Sequence, residues 1–275
     1  MEVSRPSGKN AIAVIVATTA ALFARSWLQM ELLREGLQKD HAADLSYLVV
    51  FPLLLVLMLP MLRLDKAFLL EQFRPSTLSL STVLRAIAVG MLIRVLWWSM
   101  TIAGVAFGVY RDNDPFAIEG PLFWFQCPPA KVAMVGFLVM VIMIPIVEEV
   151  TNRAYVQSSL HRGGPVVAIA VSATVFAIFH PPSHWLFTFV AGVVFGIQYW
   201  NSQSLWPSLI SHATFNGLVQ VDWRCLHGIW NPPISDLPLW RIGIAATAML
   251  LIATILVVRL TGDAKKRRDE QPPRR

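Results

Sequence analysis

The sequence predicts an all-α integral membrane protein: a bundle of about eight transmembrane helices with an active site inside the membrane. Three observations carry that expectation. Of the 275 residues, 55% are hydrophobic and 15% charged, whereas a soluble domain carries nearer a quarter charged residues. The apolar residues come in long blocks rather than amphipathic stripes, so the solvent is lipid. Several blocks nevertheless hold ionisable side chains. Charges at membrane depth cost roughly 2.5–3.5 kcal/mol each on insertion scales, and proteins keep them there for function.

Taken in order, residues 1–10 read as a short cytoplasmic N-terminus. At roughly 20 residues per crossing, spans are expected near 11–29, 46–63, 82–109, 131–160, 165–181, 184–200, 204–222 and 239–260. Residues 11–130 therefore hold the N-terminal transmembrane helices. The first block contains Arg25 and no obvious small-residue cleavage site, so it reads as a retained helix rather than a signal peptide. Arg25, Arg85 and Arg94 interrupt the first and third blocks and must snorkel or face the bundle interior. The stretch 64–81 has the pattern of an interfacial amphipathic helix that ends before Pro75. Residues 131–222 form the expected core, 223–260 an outer loop and last helix, and 261–275 a basic cytoplasmic tail.

The net charge of +6 is concentrated in that tail, KKRRDEQPPRR. Such a charge block is a solvated anchor that can also touch anionic headgroups. The basic residues flank a helix and form no separate domain, which argues against nucleic-acid binding. Eight spans put both termini on one side, with Arg5, Lys9, Arg63, Lys66, Arg74, Arg162 and the tail. The other side has Arg34, Lys39, Arg111, Lys131, Arg224 and Arg241, partly offset by acids. The excess of basic residues predicts cytoplasmic termini. Cys127 and Cys225 fall in outer-side loops where a disulfide can form, although two unpaired thiols is the preferred reading.

The chemistry-bearing residues lie in three consecutive motifs. In EEVTNR, neighbours on a helix point about 100° apart, so Glu148 and Glu149 cannot face one centre. Glu149 and Arg153 have the i, i+4 spacing and order of a favourable ion pair, leaving Glu148 free to act as a base. The bland alternative is an interfacial charge cluster where a span ends. The chain, however, continues AYVQSSLHR without a breaker to Gly163-Gly164-Pro165. Glu148 then lies roughly 22 Å before the turn and His180 roughly 25 Å beyond it. An antiparallel hairpin puts them at matching depth.

His180 closes FAIFH just before two prolines, with Phe176 one turn earlier on the same face. His184 is not paired with it, because the prolines destroy helical spacing. In HATFN, His212 and Asn216 share a face, and the bland reading is a polar helix–helix hydrogen bond. His212 should lie roughly 15 Å along its helix, shallower than His180. GVVFG places Gly192 and Gly196 four apart, a packing signal. Trp97, Trp98, Trp223, Trp230 and Trp240 fit an interfacial aromatic belt. A carboxylate, two imidazoles and an amide inside a bilayer suggest water-activating chemistry and an intramembrane hydrolase.

EEVTNR, FAIFH and HATFN, in that order, resemble the three motifs of the CPBP family of intramembrane proteases, the relatives of the CAAX prenyl endopeptidase also called Abi. Those motifs are Glu-Glu-x-x-x-Arg, Phe-x-x-x-His and His-x-x-x-Asn, met here by Glu148, Glu149, Arg153, Phe176, His180, His212 and Asn216. Asn152 and Ala154 stand where many members carry an aromatic and a glycine. The resemblance implies an endopeptidase in which Glu148, assisted by His180, activates water while His212 and Asn216 donate to the oxyanion. Glu149 and Arg153 would support Glu148. The family is described both as metalloproteases and as glutamic proteases. Glu148, His180 and His212 could supply three zinc ligands, and metal-free glutamate chemistry is the preferred expectation. The implied partners are a membrane-associated peptide or protein substrate and the bilayer, in a bacterial inner membrane. The rivals are a non-catalytic peptide-binding or bacteriocin-immunity-type protein and a proton-coupled transporter, the latter disfavoured by the compact polar cluster and the lack of an inverted repeat.

Overall fold

The computed structural model describes residues 5–37, 39–108, 130–220 and 239–269. The first helix, α1 (Gly8–Arg34), begins where Ser7 caps it by accepting a hydrogen bond from the Asn10 N–H. It is followed by α2 (Lys39–Leu64) and the short α3 (Lys66–Gln72). A single turn at Pro75–Thr77 separates α3 from α4 (Leu80–Ala106). The interfacial helix expected over 64–81 thus stops before Pro75, which disfavours helical backbone in the residue before it. The long α5 (Ala130–Gln157) turns at His161–Gly163 into α6 (Gly164–Ile178), with Gly164 taking a positive φ of 81° that favours glycine. After the prolines come α7 (Trp185–Ser202), α8 (Trp206–Gln220) and α9 (Leu239–Asp269). Among the described residues there is no strand, and the chain is an all-α membrane bundle.

Six of these helices, α1, α2, α4, α5, α6 and α9, are long and apolar enough to cross a membrane. Over their described residues all eight expected segments are helical, but α7 and α8 do not meet the same measure. For α8 the described helix is only 15 residues long. For α7 the reason is its environment, which α8 shares. On α7, Thr188, Gln198, Tyr199 and Asn201 are buried, and on α8 so are Ser208, Ser211, His212 and Asn216. These side chains bond to neighbouring helices: Gln198 donates to Ser211 Oγ, Ser211 to the Ala86 carbonyl, and Asn201 to the Thr261 carbonyl. A helix walled by other helices can be polar, because protein groups satisfy what lipid cannot.

Helix α5 is not uniform. It runs as π-helix over Leu138–Met143, as α-helix over Ile144–Glu149, and as π-helix again over Val150–Gln157. Such wider turns inside α-helices recur at functional sites. Helix α5 packs against α1, α2, α6 and α8, while α4 packs on both α8 and α9. Two close approaches fix the α7 and α8 positions. A Cβ on Gly192 would stand 3.0 Å from the Ala173 Cα, and one on Gly90 would stand 2.5 Å from the Ser211 carbonyl oxygen. The packing role expected for Gly192 and Gly196 is therefore seen against α6.

Arg25 turns into the bundle, its guanidinium 4.2 Å from the centre of the Tyr47 ring, and Arg94 lies over Trp98 at 4.7 Å. Cys127, Cys225, Trp223, Trp230, Arg111 and Arg224 lie outside the described residues.

Candidate active site

Glu149 and Arg153 are both almost wholly buried, at 1% and 0% exposure. Arg153 Nε donates to Glu149 Oε2 at 3.2 Å, the pair its i, i+4 spacing predicts. Arg153 Nη1 donates to Ser172 Oγ at 2.6 Å, and Ser172 passes its own hydrogen to the Asn152 carbonyl at 2.8 Å. The α5–α6 hairpin is thus tied at the depth of the two glutamates. The other Glu149 oxygen, Oε1, accepts from His212 Nδ1 at 3.1 Å. A buried carboxylate survives only with such partners, and removing one of them typically costs 3–5 kcal/mol.

Glu148 leaves the same helix in a different direction. Its Oε2 stands 3.6 Å from His212 Nε2, outside hydrogen-bond range, and its side chain keeps 19% exposure. The His212 imidazole therefore sits between the two adjacent carboxylates. Its ring is stacked on Phe195 at 4.9 Å and meets the edge of Phe176 at 5.7 Å. Phe176 also packs against His180 at 4.8 Å, as the FAIFH spacing predicts, so both histidines lie against one phenylalanine. His180 Nδ1 lies 2.8 Å from the Phe176 carbonyl, which can only accept. That fixes the hydrogen on Nδ1 and leaves Nε2 with its lone pair. His184 packs against Trp97 at 5.1 Å.

Asn216 has an unforeseen partner. Its Nδ2 donates to the Met140 carbonyl at 2.7 Å. The preceding π-turn explains why that oxygen is available. The Ile144 N–H bonds five residues back to Val139, so the next hydrogen bond in this register would join residue 145 to Met140. Residue 145 is proline and has no N–H. Asn216 supplies the missing hydrogen across the helix interface. The helix–helix hydrogen bond that is the bland reading of HATFN is present, and the second Asn216 amide hydrogen remains for other work.

Ser172 and Phe195 were not singled out from the sequence, although both carried a signal. Ser172 is one turn before Phe176 on the same face, and Phe195 lies within GVVFG. For zinc, the fit is poor. Among the described residues no group of three His, Cys, Asp or Glu side chains converges as a metal site. The Nδ1 bonds of both histidines leave Nε2 free, as in a metal ligand, so the poor fit rests on the missing convergence alone. No step below runs through a metal.

Residues 129–218 match the family model described as Type II CAAX prenyl endopeptidase Rce1-like. That segment is similar to the CAAX protease family, the family its three motifs resemble. No curated protein and no solved structure matches it. The matched segment takes in α5, α6, α7 and most of α8, the helices that carry Glu148 through Asn216. A family of intramembrane endopeptidases agrees with an integral membrane protein of six long apolar helices.

Proposed function

We propose that this chain hydrolyses a peptide bond in a membrane-associated peptide or protein, with Glu148 activating the water. The observation that carries the reading is the contrast between the paired Glu149 and the adjacent Glu148, whose Oε2 faces His212 without a hydrogen bond. Water loses a proton to Glu148 as its oxygen attacks the carbonyl carbon. The His180 Nε2 lone pair can help orient that water. The tetrahedral oxyanion then needs donors, and each is typically worth about 2.7–4 kcal/mol of barrier. His212 and Asn216 are the nearest candidates. Because Glu149 accepts at Nδ1, His212 can present a donor at Nε2 once a second proton reaches it, and Glu148 is the neighbour able to supply one. Collapse breaks the C–N bond as the leaving amine takes a proton from this relay. Glu149, Arg153 and Phe176 hold the reacting groups in place.

The proposed catalytic core is 131–222, flanked by the N-terminal helices 11–130 and the last helix. We place both termini on the cytoplasmic side of a bacterial inner membrane, from the basic residues that cluster there. The decisive experiment compares the membrane proteomes of cells carrying wild-type protein or Glu148→Gln. A membrane-associated precursor that accumulates only with the variant supports the reading. Identical peptide termini in the two proteomes, together with equal cleavage by the purified proteins, would falsify it.

A further inference from the structure

Beside Glu148, α5 faces α1 and α2 across a small crevice. Its polar walls are Thr18 of α1 and Glu148, Thr151 and Asn152 of α5, and Leu22, Phe51 and Phe179 close it with apolar surface. Four buried oxygens on these residues have no hydrogen-bond partner: Thr18 Oγ1, Glu148 Oε2, Thr151 Oγ1 and Asn152 Oδ1. Elsewhere in the bundle, helical threonines turn back onto their own backbone. Thr19, the neighbour of Thr18, donates to the Ile15 carbonyl at 2.8 Å, and Thr174, Thr188 and Thr247 do the same with the carbonyl four residues earlier. Thr18 and Thr151 do not, although they are only 6% and 1% exposed. The Asn152 amide nitrogen is already committed to the Glu148 carbonyl at 2.9 Å, so Oδ1 is its free atom.

A buried polar group without a partner typically costs about 1–3 kcal/mol. Four around one crevice are therefore tolerable only if they share a ligand. The cavity measures about 10 Å³, and a single water needs about 10–15 Å³ and two to four polar partners. The chemistry of the walls matches water on every side. Asn152 Oδ1 and the Glu148 carboxylate accept its two hydrogens, and the two threonine hydroxyls donate to its two lone pairs.

We infer that Thr18, Thr151 and Asn152 form a water-binding site that holds the reacting water against Glu148. When the water attacks, one threonine hydroxyl yields its lone pair to the substrate carbonyl carbon, and Asn152 Oδ1 yields its hydrogen to His180 Nε2. Thr18 lies outside the matched segment 129–218. This inference rests on the hydrolytic reading of Glu148 for its role, but not for its existence.

Thr18→Val and Thr151→Val keep the shape and remove the hydroxyl. Each is expected to lower kcat about tenfold, the loss of one hydrogen bond to the water, with KM within twofold of wild type. Thr18→Ser should recover most of the rate. An experimental density map sharp enough to show buried waters should place one within hydrogen-bond distance of all four oxygens, and lose it in the double valine variant. Valine variants that keep kcat within twofold, a map without that water, or density that fits only a metal cation would each overturn the site. If the wild-type protein cleaves nothing, the map alone judges the site, and the hydrolytic reading fails separately.

Discussion

The two sides of α5 treat adjacent, chemically identical residues in opposite ways. Toward α6 and α8, Glu149 shares its oxygens between Arg153 and His212, and Arg153 continues to Ser172. Thr151 and Asn152, beside α1, present oxygens with no partner, and so does Glu148, whose Oε2 nears His212 without a hydrogen bond. One side is a closed polar network that fixes geometry. The other has the unmet hydrogen-bonding capacity that a reaction can use. Neighbours about 100° apart were expected not to face one centre, yet both glutamates approach the His212 ring, and only Glu149 bonds to it.

The largest expected effect breaks the open side. Glu148→Gln should lower proteolysis by about 10²–10⁴-fold, the usual contribution of a general base. Its melting temperature should hold, since no hydrogen bond of Glu148 Oε2 is lost. A parallel loss of activity and thermal stability would erase the distinction between the sides. Glu149→Ala should do the reverse damage, leaving Arg153 buried without its carboxylate and destabilising the fold by about 3–5 kcal/mol. Thermal unfolding in detergent reads that directly, and an unchanged melting curve would sink the closed-network description.

Asn216 offers a finer test, because it bridges structure and chemistry. Asn216→Ala orphans the Met140 carbonyl and should cost about 1–3 kcal/mol of stability. Restoring a backbone N–H with Pro145→Ala should offset much of that cost in the double variant, measured as a double-mutant cycle. Activity that stays low while stability returns would assign Asn216 a part in the reaction. Recovery of both would leave it a purely structural group. The smallest effect is expected at Gly192→Ala, where a methyl meets the Ala173 backbone at 3.0 Å. A destabilisation of about 1 kcal/mol, at the low end for overpacking, would loosen Phe176 and Phe195 around His212. Equal stability to wild type would mean that α6 and α7 can part without cost.

Much of this arrangement is legible in one sequence because helices convert spacing into direction. Three features came from residue counting alone: the Glu149–Arg153 pair, Phe176 against His180, and the hairpin that sets α6 beside α5. What escaped depends on departures from regular spacing. The π-turns of α5 shift its register, so no count at 3.6 residues per turn links Pro145 to Asn216. His212 bonding to Glu149 is a contact between distant helices, 63 residues apart in sequence, and hydropathy carries no trace of it. Hydropathy also averages over a helix, so it does not distinguish a lipid-facing polar group from one enclosed by neighbours, as those of α7 and α8 are.

The proline in α5 has a consequence for how this protein can change. An asparagine on another helix completes a backbone that cannot complete itself, so the two positions are mutually constraining. Substitutions at 216 should be poorly tolerated while 145 is proline, and more freely accepted once it is not. A random library would therefore show strong epistasis between two sites 71 positions apart, a signature that a reader of either helix alone would not anticipate.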